Sequence, residues 1–313
     1  MITNISGGAL ISVIIPTYQR DYCLAQSLPY IISQDEVSEI IVVDDAGIDH
    51  TKALIAEFEK KHPKLCWKYI RLDSNQGATV ARMRGLQEAV NSYVAFCDDD
   101  DLMMPGYFKQ CLQCLKSGAG IVSGRHFYRR LGESCDQAVN RFSSGATAGP
   151  YIFSYSIMIN KEMRQTEILS VPFTHGLVVT TLEIAKKYLV KNPYVKGNGF
   201  REETDFQLRA FADGVIIKVL PTIYAVGMNR KEVKTGGQRV SRISRFIWTI
   251  RHNREFLKHH WPVLKTFLNK PYSWKIAQCL FSAVLVHQFF IAPFYILPAR
   301  GFRWLQHHVK GIS

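Results

Sequence analysis

A chain of 313 residues, 47% of them hydrophobic, has room for one large domain plus an appendage and reads as a globular protein with a sizeable core. Its formal net charge of +13 is unevenly placed: residues 231–313 hold 14 of the 39 Lys+Arg but only 2 of the 26 Asp+Glu. That break suggests a near-neutral domain followed by a basic element that meets an anionic surface, and an odd number of scattered cysteines, 7, excludes a small disulfide scaffold and favours a reducing compartment.

The first 120 residues alternate apolar β-rich runs with helical patterns. "ISVIIP" (11–16) reads as a buried strand that starts too early and is too β-branched for a signal peptide. "EIIVVDD" (39–45), "CWKYIRL" (66–72) and "SYVAFCD" (92–98) are further strands. "HTKALIAEFEKKH" (50–62) and "GATVARMRGLQEAV" (77–90) carry helical spacing of apolar positions. The alternation predicts an α/β fold with a mostly parallel sheet flanked by helices. "YFKQCLQCLKSG" reads as a helix with Cys111 and Cys114 on or near one face, better explained as small core residues than as a zinc or redox pair. Beyond it, "AGIVSGRHFYRR" holds a strand, and "THGLVVTTLEIAKKYL" reads as a short strand and then a helix. "REETDFQLRAFADG" (201–214) is a helix stopped by Gly214, and "VIIKVLP" (215–221) is another strand.

Ligands of parallel sheets gather at the carboxyl ends of the strands. Those ends here carry Pro16-Thr17-Tyr18, Asp44-Asp45, the stretch Arg71 to Asn75, and the run Asp98 to Asp101. Asp and Asn favour turns, so each cluster alone is weak, but together they bring polar groups from separate segments to one edge. Four adjacent carboxylates repel one another, and a cation is one way to hold them.

In order and rough spacing, "SVIIPTYQR", "EIIVVDD", "NQGATVARMRG", "VAFCDDDDLMMP" and "REETDFQLRA" resemble the segments of family 2 glycosyltransferases with the GT-A fold, over about residues 10–240. The resemblance implies an inverting, metal-dependent transfer of a sugar from a nucleotide-sugar donor, a UDP-sugar favoured, to a hydroxyl of a glycan or lipid-linked acceptor in cell-surface polysaccharide assembly. The aspartate run resembles the family's DxD motif. It implies that Asp100 and Asp98 hold Mn²⁺ or Mg²⁺ on the donor diphosphate, that Asp98 and Asp99 are available to the nucleotide, and that Asp99 and Asp101 are otherwise solvated or supporting groups. Pro16, Thr17, Tyr18 and Asp45 resemble the nucleotide-contacting positions, and an Asp carboxylate suits the imide N–H of uracil. Asp44 reads as a strand-end or turn carboxylate. Arg82 resembles the Arg of the family's "ARN" segment, with Met83 in place of the Asn, and is either a diphosphate or structural partner or a surface helix residue. In "REETDFQLRA" the catalytic base falls among Glu202, Glu203 and Asp205. Thr204 as a helix N-cap would leave Glu203 free to face the cleft, and Asp205 lies four residues before Arg209, the spacing of a helical ion pair. The Gly-containing loop "KTGGQR" resembles a flexible loop of some family members, from which Arg239 would reach the diphosphate; an ordinary basic loop is the alternative. His175 lies in a segment on the acceptor side, where a lone His is more often structural.

Residues 241–313 interleave Arg, Lys and His with Trp, Phe and Tyr. No nucleic-acid-binding module appears, so a membrane surface is the expected partner. "IAQCLFSAVLVHQFFIAPFYILP" (276–298) is nearly long enough to span a bilayer, but Gln278, His287, Gln288 and Pro293 interrupt it. An in-plane segment flanked by basic residues fits better, and packing on the catalytic domain or on a second copy is the alternative. The expected organisation is a GT-A domain at 1–240 and a helical tail at 241–313, in a cytoplasmic enzyme at the inner face of the cell membrane. Two rivals stand beside it: a nucleotidyltransferase of the same fold, which would need no base on "REETDFQLRA", and a non-catalytic sugar-nucleotide or membrane-binding protein.

Overall fold

A computed structural model describes residues 10–143, 169–171, 174, 178–190, 202–227, 258–259 and 262. The elements below all belong to one compact unit, Met1–Gly149 with Arg164–Thr235. Expectations for the tail 241–313, the 234–239 loop with Arg239, and His175 lie outside the described residues, apart from Lys258, His259 and Pro262. Among the described residues no helix is long and apolar enough to cross a membrane.

The chain opens with strand β1 (Ile11–Thr17), buried along its whole length. Helix α1 (Asp21–Ile32) follows, then β2 (Val37–Asp44), α2 (Thr51–Lys61), β3 (Cys66–Arg71), α3 (Ala78–Glu88) and β4 (Tyr93–Phe96). β1 pairs with β2 and β4, and β2 with β3, all parallel. Strands β1 and β2 read as nearly continuous Val/Ile runs because helices cover both faces of this half of the sheet. Helix α1 escapes a reading of periodicity because Pro29 stands inside it. Pro there removes one helical hydrogen bond, yet Leu24, Leu28 and Ile31 are all fully buried, and that packing outweighs the lost bond.

The second half is mixed. It contains β5 (Asp101–Met103), α4 (Tyr107–Lys116), β6 (Ile121–Tyr128), α5 (Cys135–Ser143), β7 (Leu169–Val171), β8 (Val179–Thr181), α6 (Leu182–Tyr188), α7 (Glu202–Ala212) and β9 (Ile217–Gly227). The described strands form one sheet in the order β3-β2-β1-β4-β8-β6-β9-β5, with β7 also on β9. From the pairings, β3, β2, β1, β4, β6 and β9 run one way, and β5, β7 and β8 the other. The expected mostly parallel, helix-flanked sheet is therefore present, with antiparallel strands confined to the second half.

Three boundaries differ from expectation. β4 stops at Phe96, and Asp101 already belongs to β5, where it pairs with Gly227; the aspartate run is a corner between two strands rather than the end of one. β9 continues past Pro221 to Gly227 because the β6–β9 register shifts between Ser123 and Arg125, beside the residue with no N–H to donate. α7 begins at Glu202, so Thr204 is inside the helix and not its cap; acidic residues in a first turn are favoured by the helix dipole. Cys111 and Cys114 are free thiols buried in the core on α4.

Candidate active site

Strand order reverses at β1: the chain moves to β2 on one side and returns to β4 on the other. Such a switch point opens a crevice at the strand ends, and the polar residues converge on it. Two tight turns line the crevice. Gln19 after β1 and Ala46 after β2 both adopt the left-handed conformation, with φ of 54° and 66°. A side chain on Gly47 would meet the Asp44 carboxylate at 2.8 Å and the Gln19 nitrogen at 3.1 Å, so the two turns can approach only through a glycine.

The four aspartates separate into two sets. Asp98, Asp100 and Asp101 each bring a carboxylate oxygen within 4.8 Å of the others. A hard cation bonded to each at about 2.1–2.6 Å would span that separation, and an all-oxygen donor set suits Mg²⁺ or Mn²⁺. The residues therefore fit the expected metal, with Asp101 joining Asp98 and Asp100 where a supporting role was expected. Asp99 turns the other way and is fully buried, which corrects the reading of it as a solvated group. Its side chain accepts from Thr17 Oγ1 at 2.7 Å and from Arg20 Nε at 3.1 Å, and Arg20 Nη2 lies 2.5 Å from its other oxygen. Its carbonyl accepts from Ser27 Oγ at 2.9 Å. Arg20 also reaches across with Nη1, 3.3 Å from Asp100 Oδ2.

Burial pushes the Asp99 carboxyl up, against the pull of Arg20. Asp100 is pushed up to about 6, first by burial and then by Asp101, with Arg20 again opposing. Carboxylates crowded out of water resist ionising together, and a divalent ion relieves that cost.

Arg82 is buried on α3, so it is not a surface helix residue. Its Nη2 lies 2.7 Å from Asp98 Oδ1 and its Nη1 4.0 Å from Glu203 Oε1. It thus ties the aspartate corner to the first turn of α7. That turn is set by Phe206, which meets Phe96 at the end of β4 edge to face, centroids 6.2 Å apart. Further along α7, buried Gln207 accepts from the Thr174 backbone N–H at 2.6 Å. Of the three residues among which the base was expected, Asp205 is buried and paired with Arg209 at 2.9 Å, the helical ion pair. Glu203 is about a third exposed, at 35%, beside Arg82, and the Glu202 side chain lies outside the described residues.

The remaining positions sit at the strand ends. Pro16 is buried within β1 opposite Val43. Tyr18 is half-buried, its hydroxyl accepting from Gln19 at 3.3 Å. Both oxygens of buried Asp45 accept backbone N–H groups at 2.7 Å, from Gln76 and Gly77, which fixes the loop before α3. Asp44 accepts from the Gly47 N–H at 2.6 Å and the Tyr69 hydroxyl at 2.7 Å, as a strand-end carboxylate would. Arg20 was not singled out from sequence. The one signal for it was its place directly after a strand end, inside the quoted "SVIIPTYQR".

A model of the family described as "Glycosyl transferase family 2" matches residues 12–177. Among curated proteins, a putative teichuronic acid biosynthesis glycosyltransferase, TuaG, of Bacillus subtilis is 30% identical over 188 residues, 57% of this chain and 73% of that protein. A GalNAc(5)-diNAcBac-PP-undecaprenol beta-1,3-glucosyltransferase of Campylobacter jejuni is 30% identical over 123 residues, 39% of this chain and 40% of that protein, so the match spans less than half of that relative's length. Among solved structures, S. aureus TarS 1-349 in complex with UDP-GlcNAc aligns with a TM-score of 0.56 at 20% identity, covering 88% of this chain and 81% of that one. The mannosyltransferase PcManGT of Pyrobaculum calidifontis, in complex with GDP-Man and Mn²⁺, gives 0.51 at 19% identity, covering 94% and 79%. At such identities the two structures speak to the fold alone.

Proposed function

The chain belongs to glycosyl transferase family 2, and on that premise we propose that it moves a sugar from a uridine diphosphate donor to a hydroxyl of a lipid-linked glycan. The observation that carries the reading is the junction at Arg82, which joins Asp98 of the metal-suited corner to Glu203 on α7. One guanidinium thus stands between the place for a diphosphate and a carboxylate with access to solvent. The relatives' own names support the substrate classes: one acts on an undecaprenol diphosphate acceptor, and one structure holds UDP-GlcNAc.

In this mechanism Glu203 accepts the proton of the acceptor hydroxyl as its oxygen bonds to the anomeric carbon. The bond from that carbon to the diphosphate oxygen breaks on the opposite face, so configuration inverts and the transition state has oxocarbenium character. Arg82 offsets charge gathering on the leaving group. Asp98, Asp100 and Asp101 would hold a divalent cation, which when bound neutralises the diphosphate. Thr17, Tyr18 and Asp45 frame the nucleoside side of the crevice. The basic segment 241–313 supports placing the enzyme against an anionic membrane face, where a lipid-linked acceptor resides.

The test is transfer from a panel of UDP- and GDP-sugars to polyprenyl-diphosphate-linked acceptors with Mn²⁺ present. Acceptor-dependent release of UDP is expected, and Asp100→Ala and Glu203→Gln should each lower it by roughly 100-fold or more while the fold survives. Full activity of Glu203→Gln removes the base from that residue, and transfer from GDP-sugars alone overturns the donor class.

A further inference from the structure

Asp99 presents an unexplained cost. A carboxylate wholly removed from water destabilises a fold unless it is paired and hydrogen-bonded, and the corner already holds three other aspartates. The geometry around Arg20 explains what the fourth does. One guanidinium nitrogen, Nε, donates to Asp99 Oδ2 at 3.1 Å, and a second, Nη2, is ion-paired with Oδ1 at 2.5 Å. The third, Nη1, is only in loose contact with Asp100 Oδ2 at 3.3 Å. Arg20 keeps its charge at any physiological pH. Without Asp99 on its other side, it would turn onto Asp100, which lies within reach and is partly exposed, at 27%.

We infer that Asp99 is a positioning residue that sequesters Arg20, leaving Asp100 open to a divalent cation. The inference rests on the metal reading of the Asp98–Asp100–Asp101 corner. Thr17 Oγ1 and Ser27 Oγ complete the device by pinning the Asp99 side chain and backbone to β1 and α1. The Ser27 bond does not involve the Asp99 side chain, and an amide at this position keeps the oxygen shared by Thr17 Oγ1 and Arg20 Nε; what it loses is the charge and the oxygen facing Arg20 Nη2, where an NH2 donor now opposes a donor. Arg20 is then both a competitor for Asp100 and a fixed part of the site's wall, and the balance between these is set by one buried carboxylate.

The experiment is titration of the full chain with Mn²⁺ alone, followed by the free-ion electron paramagnetic resonance signal. The native chain is compared with Asp99→Asn, Arg20→Gln and the double variant, with circular dichroism to monitor the fold. Asp99→Asn should bind Mn²⁺ about tenfold more weakly, because a charge-assisted pair must now be broken at Asp100. Adding Arg20→Gln to it should restore native affinity, a rescue that simple damage to the loop would not give. Unchanged affinity in Asp99→Asn, or a double variant no better than the single, overturns the inference alone. A native chain that binds no Mn²⁺ overturns the metal reading and the inference with it. Should Asp99→Asn fail to fold, Arg20→Gln decides: affinity equal to native upholds sequestration, and a tenfold change in either direction overturns it.

Discussion

Ala46 carries a methyl group where the backbone asks for none. Its φ of 66° lies in the left-handed region, where an L side chain crowds the following carbonyl. The strain is tolerated because Asp44 and Asp45 fix the turn from both sides, through the N–H groups of Gly47, Gln76 and Gly77. Replacing Ala46 with Gly removes a penalty of about 1–2 kcal/mol and returns about 0.5–1 kcal/mol as unfolded-state entropy. Ala46→Gly is therefore expected to raise Tm by about 2 °C in a chain of this size, with transfer rate unchanged. A lowered Tm in a melting experiment would show that the methyl packs more favourably than the turn strains. At this scale the site was partly legible. The aspartate run stands out because four carboxylates in a row are unusual at a strand end, and Glu203 because "REETDFQLRA" resembles a segment of the family. The inward turn of Asp99 does not, since four identical residues in a row carry no local mark of which one is buried. Its partner Thr17 is 82 residues away, and only the pairing of β1 with β4 brings them together.

Helix α3 holds Arg82 in place, and it does so by lying unusually close to the sheet. A Cβ on Gly85 would come within 2.5 Å of Ile14 Cγ2 and 3.3 Å of Val43 Cγ2. In an open helix Gly→Ala gains about 1 kcal/mol. Here the added methyl has two packed strands to displace, and overpacking costs about 1–3 kcal/mol, so the cost wins. Gly85→Ala should lower Tm by a few degrees. It should also reduce transfer beyond what the lost stability explains, because moving α3 off β1 moves Arg82 relative to Asp98 and Glu203. A raised Tm with full activity would show that α3 is free to shift without effect. α3 and the strands beneath it were readable for local reasons: the helix shows the spacing of its apolar positions, the strands are unbroken apolar runs, and each element is long enough to display its pattern. β5 and β7 have three residues each, too few for any period, and owe their existence to pairing with β9. The tight helix–sheet approach was itself invisible, because a glycine in "MRGLQE" reads as a weak helix position until the opposing Ile14 is known.

For the whole molecule, the acidic corner links folding, metal and pH. Asp100 is pushed from 3.8 to about 6 by burial and by Asp101. An acid whose folded value is raised favours the folded state when protonated, so without metal the corner costs stability as pH rises from about 4 through 6. A cation acts in the opposite sense. It binds the ionised carboxylates, and a proton competes with it as pH falls through 6. Bound metal stabilises the folded chain by mass action, so Mn²⁺ should raise Tm clearly at pH 7.5 and much less at pH 5.5. For one carboxyl with its midpoint near 6, apparent Mn²⁺ affinity at pH 5.5 should be about fourfold weaker than at pH 7.5. Asp100→Asn should bind less tightly at both values and lose most of the difference between them, since the group that titrates is gone. A native chain whose Mn²⁺-induced shift in Tm is the same at both pH values would show that Asp100 is already ionised throughout. The burial that sets this corner would then have to be relieved in solution, by opening of the β4–β5 turn that carries Asp98, Asp99 and Asp100.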